Sequence, residues 1–339
     1  MYHEIQNIFS KHSQKSLVII PFGLIFIVNL LITQLNGFEY AGKFAVFYGA
    51  SSFIAILFGM QWDIEVLVRK RKKLEFSIIF GILTVLCFLI AFLNFYFFFN
   101  FFQTVYYLYL IIAATFIAIN EILFSGLIKT KKYKTWVLIR SFSPITLFIL
   151  TVNQVSLELT WVYAQIIPLL ALTIFYLSNI NNFQLTNSLK DSSDFFPKII
   201  QLIPITLSTL ISNSILLFCL IGISYSLGSF EAGIWVNAYR VFSLPIILCG
   251  AIILPFILST IGERSYRYKF KLFSRYLLFI LTLGTLITPA IYFYGVNIFQ
   301  ILTKSSYIMT ESLALIIFFT AAAHALIQNM RSFFQSIDR

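Results

Sequence analysis

Three ionisable residues lie inside long apolar stretches of the chain. Arg140 and Arg240 are basic, and Glu121 is acidic. At the centre of a membrane-spanning helix a charged side chain costs about 2.5–3.5 kcal/mol on insertion scales, so such residues pair with one another or line a polar cavity. These three positions are therefore the first candidates for chemistry.

Glu121 and Arg140 are predicted to lie at similar depth in the membrane. Glu121 stands eight residues before Lys129, and Arg140 stands six residues after Lys134. At 1.5 Å per residue this places the two charges about 12 Å and about 9 Å from the same face, on consecutive helices. We expect an ion pair, which either locks two helices together or forms a coupling site where Glu121 exchanges a proton.

Arg240 enters its apolar stretch from the opposite face and lies about 12 Å deep by the same rise. No acidic residue lies on its own predicted helix at that depth. An unpaired arginine in a membrane is best explained by a water-filled cavity and an anionic ligand, because a guanidinium binds oxyanions through forked hydrogen bonds. We expect Arg240 in the outer half and Arg140 in the inner half to contact one anion in turn.

Three further residues are weaker candidates. Lys43 lies at the mouth of the second predicted helix, where it can attract an anion, although simple exposure also explains it. Asp63 faces the basic run at 69–73 and is either a coupling residue or a solvated boundary charge. His324 lies among small residues in AAAHALIQN, where close helix contact favours a packed neutral histidine over a proton relay.

The sequence contains no pattern typical of an enzyme or a cofactor site. Its three cysteines, Cys87, Cys219 and Cys249, lie in apolar runs without metal-ligand spacing. Neither a phosphate-binding glycine loop nor a Ser/His/Asp arrangement is visible. We therefore expect no catalysis, no cofactor and no ATP-driven step. The basic residues form short clusters between apolar stretches, so nucleic acid is not an expected partner.

The elements that position these residues are predicted to be membrane helices. Of 339 residues, 59% are apolar and 11% are charged, whereas soluble domains carry about 45–50% and about 25%. A spanning helix needs about 20 apolar residues. The sequence predicts an all-α, polytopic membrane protein with about ten helices, at 16–35, 43–61, 76–98, 104–128, 135–152, 159–180, 199–225, 232–260, 274–294 and 308–330.

The links between these helices alternate in charge. Of the 24 Lys and Arg residues, all but Lys43, Arg140, Arg240 and Lys304 fall at the termini or on one set of links. Because cytoplasmic loops carry the excess of Lys and Arg, both termini are predicted to be cytoplasmic. The longest link, 181–198, separates a lobe of six predicted spans, 1–180, from a lobe of four, 199–339.

An internal repeat relates the two lobes. Residues 37–60 align without a gap to residues 228–251 at an offset of 191, with eight identities in 24 positions that include three glycines and a tyrosine. In both segments a predicted outer loop leads into a span that runs in the same direction. This predicts a parallel six-helix repeat. A complete second copy would need twelve spans, so the second lobe is expected to be incomplete.

The repeat segments resemble the Wzx-type O-antigen and polysaccharide flippases of the MOP superfamily. The similarity over 228–263 is carried by Gly228, Glu231, Gly233, Tyr239, Arg240, Pro245 and Pro255. Residues 39–67 resemble the family's outer loop and second helix, which commonly end in a basic-aromatic-acidic trio. Trp62 and Asp63 match the aromatic and acidic members of this trio, and Gln61 stands where the basic residue is usual. Residues 129–141 resemble the family's basic link before the fifth helix, with Arg140 in place.

The resemblance implies a MOP/MATE-like bundle of two lobes in the bacterial inner membrane. Its expected activity is alternating-access flipping of an undecaprenyl-pyrophosphate-linked oligosaccharide, such as an O-antigen or capsule repeat unit, coupled to a proton or sodium gradient. Arg240, Arg140 and Lys43 are the expected contacts of the pyrophosphate. Membrane lipids, a polysaccharide polymerase and a chain-length regulator are the further expected partners. Compared with the family, the last two helices are expected to be missing.

Two other interpretations stay open. One is a membrane enzyme of the same pathway. A polymerase of this kind usually has a long outer loop with arginines, whereas outer links here hold about a dozen residues or fewer, and an acyltransferase needs a reactive histidine, whereas His3 and His12 lie in a polar tail. The other is a MOP transporter of a different cargo, either a peptidoglycan lipid precursor or a cationic drug. Two cavity arginines would oppose a cationic cargo.

Overall fold

The chain is helical throughout the part that the structure describes. The structure is a computed structural model that describes residues 19–68, 74–99, 105–178, 195–244, 266–304 and 310–337. The helices are α1 (Ile19–Gly59), α2 (Trp62–Val68), α3 (Leu74–Phe99), α4 (Val105–Lys129), α5 (Tyr133–Val152), α6 (Leu157–Ser178), α7 (Phe195–Ser226), α8 (described over 229–244), α9 (Tyr266–Thr303) and α10 (Glu311–Ile337).

The described helices make this chain a multi-pass membrane protein. Seven of them are long and apolar enough to cross a bilayer. Their exposed side chains are largely aliphatic, as at Ile174, Ile211 and Leu286, which are 68%, 66% and 71% exposed. A surface of this kind is suited to lipid and not to water. The described residues do not include the basic run at 69–73, residues 181–194 of the predicted link, or either chain end.

The first long helix contains two of the predicted spans. The sequence predicts a loop at 36–42 between them, but the chain is helical on both sides of Gly37, and the helical dihedral angles break only at that residue. Gly37 has φ 81° and ψ 173°, a region that is essentially restricted to glycine. A single glycine therefore replaces the predicted loop.

The two halves of α1 lie side by side. Pro21 and Ile56 line the same cavity, although 35 residues of straight helix would separate them by about 50 Å. Because a 41-residue helix is about 60 Å long, twice the thickness of a bilayer core, it crosses the membrane only by turning back. We call the halves α1a, residues 19–36, and α1b, residues 38–59.

Helices α1b and α8 meet at two glycines. A methyl group on Gly42 would overlap the carbonyl oxygen of Ser229, and one on Gly233 would overlap the carbonyl oxygen of Phe38. Residues 38 and 229 correspond at the offset of 191, and so do residues 42 and 233. The same backbone contact is therefore made twice, once in each direction. We call this contact the glycine seam.

Each helix also starts in the same way. Gly37 precedes α1b and Gly228 precedes α8, and these two residues are the glycines with positive φ among those described, at 81° and 105°. The positions correspond at the same offset. Local backbone geometry and the contact at the seam thus follow the alignment that the sequence predicts.

The two largest apolar clusters among the described residues lie in different parts of the bundle. In the larger one, side chains such as Phe58, Trp62 and Ile122 pack α1 to α6 together, and Leu202 of α7 joins them. In the second, Phe242, Phe299 and Phe318 lie between α8, α9 and α10. Helix α7 packs against α1 and also contacts α10.

Candidate functional site

A cavity of about 700 Å³ lies among the helices of the bundle. Its wall is formed by both halves of α1 and by α4, α5, α6, α7, α8 and α10. The glycine seam lies beyond one end of this wall, because the first cavity-lining residues after Gly42 and Gly233 are Phe44 and Trp235. The cavity is thus closed at the seam by backbone packed against backbone.

Helices α1b and α8 contribute nearly the same positions to the wall. From α8 the wall residues are Trp235, Val236, Tyr239, Arg240, Ser243 and Leu244; at the offset of 191 these correspond to Phe44, Ala45, Tyr48, Gly49, Ser52 and Phe53 of α1b, all of which line the cavity as well. Ile56 is the remaining wall residue of α1b, and its counterpart at 247 lies outside the described residues. One pair differs in charge, because Gly49 corresponds to Arg240.

Arg240 faces the cavity and is partly buried. In the described part of the chain no carboxylate forms an ion pair with its guanidinium. The guanidinium interacts electrostatically with the phenol of Tyr48 on the opposite helix. A guanidinium presents its N–H donors in a fixed fork that matches the oxygens of a carboxylate or a phosphate. The position suits an anion that enters the cavity.

Arg140 and Glu121 also line the cavity, and they contact each other. The Arg140 Nη2 atom lies 2.7 Å from Glu121 Oε1. The guanidinium carbon lies 4.8 Å from the ring centre of Phe124 and 5.6 Å from that of Trp136, so aromatic faces surround the cation. The charge of Arg140 is therefore balanced within the protein, and the guanidinium is held in place by packing.

The structure does not bring Lys43 or Asp63 to the cavity wall. Lys43 is exposed, and its Nζ lies 2.7 Å from Glu39 Oε1, one helical turn away. Glu39 and Lys43 have the i, i+4 spacing of a helical ion pair, which the sequence shows once residues 38–42 are known to be helical. Asp63 lies in the first turn of α2, outside the bundle wall that lines the cavity.

Several polar wall residues were not singled out from the sequence. The amide nitrogens of Asn29 and Asn120 donate to the carbonyl oxygens of Ile25 and Gln165, at 2.6 Å and 2.9 Å. Their side-chain oxygens are buried and accept no hydrogen bond from a described residue, and the hydroxyl of Ser243 has no partner among these residues either. A buried acceptor left alone costs about 1–3 kcal/mol. The sequence signal that could have identified these residues is a polar side chain deep inside an apolar stretch.

His324 lies on α10, the last helix that contributes to the cavity wall. Its Nδ1 is 3.3 Å from the hydroxyl of Tyr239, whose ring stacks on Trp235 with ring centres 5.5 Å apart. The sequence predicts a packed histidine at this position. The structure adds that this histidine lines the cavity and contacts a residue of the repeat.

The described residues provide no metal centre, since they contain no group of three or more His, Cys, Asp or Glu side chains close enough to hold an ion. Comparison of the chain with protein-family models, with curated proteins and with solved structures gives no match.

Proposed function

We propose that this chain is a membrane transporter that carries a polyprenyl-pyrophosphate-linked oligosaccharide across the bacterial inner membrane. The observation that carries the proposal is Arg240, a cavity arginine with no acidic partner in the described part of the chain. The resemblance of residues 228–263 to Wzx-type flippases supplies the substrate class. A diphosphate is a strong oxyanion, and it suits the forked donors of a guanidinium.

The charge of the cavity wall supports an anionic cargo. Glu121 balances Arg140 at 2.7 Å, and Arg240 keeps its positive charge unbalanced. A cationic drug would meet net repulsion in this cavity, so the wall disfavours that cargo.

Alternating access is proposed to act through the glycine seam. Helices α1b and α8 contact each other closely at Gly42 and Gly233, and the cavity lies next to this contact. Separation of the two helices would open the cavity at the seam. Under the predicted orientation, with both termini in the cytoplasm, this end faces away from the cytoplasm.

Ion coupling is part of the proposal, and Glu121 is the acidic residue among the described cavity-lining residues. Its contact with Arg140, within aromatic faces, favours a locking role for this pair over proton exchange. The coupling ion would then bind at another group. The polymerase and the chain-length regulator remain proposed partners that use the transported product.

Replacement of Arg240 by alanine tests the function. With protein abundance held constant, we expect R240A to abolish surface polysaccharide and to accumulate lipid-linked repeat units on the cytoplasmic leaflet. In purified protein we expect binding of polyprenyl pyrophosphate to weaken about 100-fold, because hydrogen bonds to charged groups contribute about 1.5–3 kcal/mol each.

R275A is the matched control, since Arg275 belongs to α9 and does not line the cavity. Normal polysaccharide export by R240A would overturn the proposed function. Intact binding of pyrophosphate lipid by R240A would overturn the assigned role of the arginine.

A further inference from the structure

Two tyrosines face the cavity from corresponding positions of the repeat. Tyr48 lies on α1b and Tyr239 on α8, and both line the wall. Each lies one residue before the pair that differs in charge, Gly49 and Arg240. The two repeat segments therefore share a tyrosine directly beside the pair of wall residues that differ in charge.

A tryptophan supports each tyrosine ring. Tyr48 meets Trp161 edge to face, with ring centres 4.9 Å apart, and Tyr239 stacks on Trp235 at 5.5 Å. Both tryptophans belong to the cavity wall as well. Aromatic contacts of this kind fix the orientation of a ring. Tyr48 still has 39% of its surface exposed, so its ring is available to a molecule in the cavity.

Each helix also places a serine hydroxyl in the wall. Ser52 and Ser243 correspond in the repeat and line the wall one turn further along each helix. The Ser243 hydroxyl is buried and has no hydrogen-bond partner within the described ranges of the chain. Aromatic faces combined with hydroxyls suit a sugar ring, which offers C–H groups to the π-face of an aromatic ring and hydroxyls to polar neighbours.

We propose that Tyr48 and Tyr239 bind the sugar ring that is joined directly to the pyrophosphate. The inference rests on the proposed function, since Arg240 holds the pyrophosphate. Tyr239 precedes Arg240 in the chain, and Tyr48 interacts electrostatically with the Arg240 guanidinium from the facing helix. A sugar linked to the bound diphosphate therefore lies within reach of both rings.

The test compares two ligands with purified protein in lipid nanodiscs. One ligand is a polyprenyl pyrophosphate, and the other is the same lipid carrying a single hexose. We expect the native protein to bind the sugar-bearing lipid about two- to tenfold more tightly, the range that aromatic contacts contribute. We expect Y48L and Y239L to remove this preference, measured within each variant as the ratio of its affinities for the two lipids.

Conservative variants separate the ring from the hydroxyl. Y48F and Y239F keep the aromatic face and should keep the preference for the sugar. Y163L is the control, because Tyr163 lies on α6, is 44% exposed and does not line the cavity. It should behave as the native protein with both ligands.

The outcomes distinguish this inference from the proposed function. An unchanged preference for the sugar-bearing lipid in Y48L and Y239L would overturn the sugar site while the binding of pyrophosphate stands. Loss of preference in Y48F as well as in Y48L would also overturn it, because a hydroxyl and not a ring would then bind the sugar. Failure of the native protein to bind pyrophosphate lipid would instead overturn the proposed function.

Discussion

Helices α1b and α8 have the same design and different charge. Both follow a glycine with positive φ, both pack through a glycine at the seam, and both give six corresponding residues to the cavity wall. Of these pairs, Tyr48/Tyr239 and Ser52/Ser243 are identical, and Gly49/Arg240 differs by a full charge. The identical residues lie at matching positions of the wall, and Arg240 adds a positive charge that Gly49 does not supply.

The largest expected effect comes from moving the charge between the two helices. We expect R240G to weaken the binding of polyprenyl pyrophosphate about 100-fold, and we expect the double variant G49R/R240G to recover a large part of this loss. A Cβ atom at residue 49 would lie 3.0 Å from the flexible end of Leu217, so this leucine has to shift slightly, and residue 49 itself lines the cavity. Titration of both purified variants with the lipid measures the recovery.

G49R alone provides the control for the charge swap. It should bind pyrophosphate at least as tightly as the native protein, since it carries both charges. If the double variant binds no better than R240G, the two helices are not interchangeable, and the position of the charge matters as much as its sign.

The second largest effect concerns the glycine seam. A methyl group added to either helix there should lower the free energy of unfolding by a similar amount. G42A and G233A each place a methyl group against a backbone carbonyl of the other helix. We expect both to lower the free energy of unfolding by about 1–3 kcal/mol, the usual range for overpacking. Thermal unfolding in detergent compares them with G23A and G284A, where a methyl group meets nothing within 4 Å.

The control substitutions should change stability by less than about 0.5 kcal/mol. A large destabilisation by G42A together with none by G233A would contradict the symmetry of the seam.

The smallest effect separates Arg140 from Arg240. E121Q removes the partner of Arg140, but the two side chains are 25% and 43% exposed, so the stability lost should be about 1 kcal/mol or less. Freeing the second positive charge should tighten pyrophosphate binding, by at most about fivefold because charges in a wet cavity are screened. Binding titration and thermal unfolding measure the two effects.

E121Q should also retain transport that is driven by an ion gradient, because the pair is expected to lock α4 to α5. Loss of gradient-driven transport with intact lipid binding would assign ion coupling to Glu121 instead. The isosteric change to glutamine keeps the size of the side chain, which makes steric effects a minor concern.

The sequence predicted the membrane class, because uninterrupted apolar stretches have few alternatives to membrane helices. It also predicted that Glu121 and Arg140 lie at similar depth, since depth follows from helical rise, and the structure places them in contact. The predicted loop at 36–42 was replaced by one residue. Glu39 within that segment and Lys43 at the start of the next predicted helix form an i, i+4 pair on a continuous helix.

The remaining features depend on which helix faces meet across the bundle. The local sequence of one helix does not specify which other helix it will pack against. The alignment at 191 contained Tyr48/Tyr239 and Gly42/Gly233 as identities, but it could not show that one pair lines a cavity and the other closes it. Asn29 and Asn120 similarly become notable only when their oxygens are seen to be buried without partners.

The single-residue turn at Gly37 has a consequence for membrane insertion. A hairpin whose turn is one glycine leaves no polar loop that could pause at the surface, so α1a and α1b should enter the bilayer together as one unit. Under the predicted orientation its tip must pass through the hydrocarbon core, and near that tip Glu39 and Lys43 lie 2.7 Å apart. Their charges cancel, so the tip crosses as a nearly neutral group, at a lower desolvation cost than two separate ions.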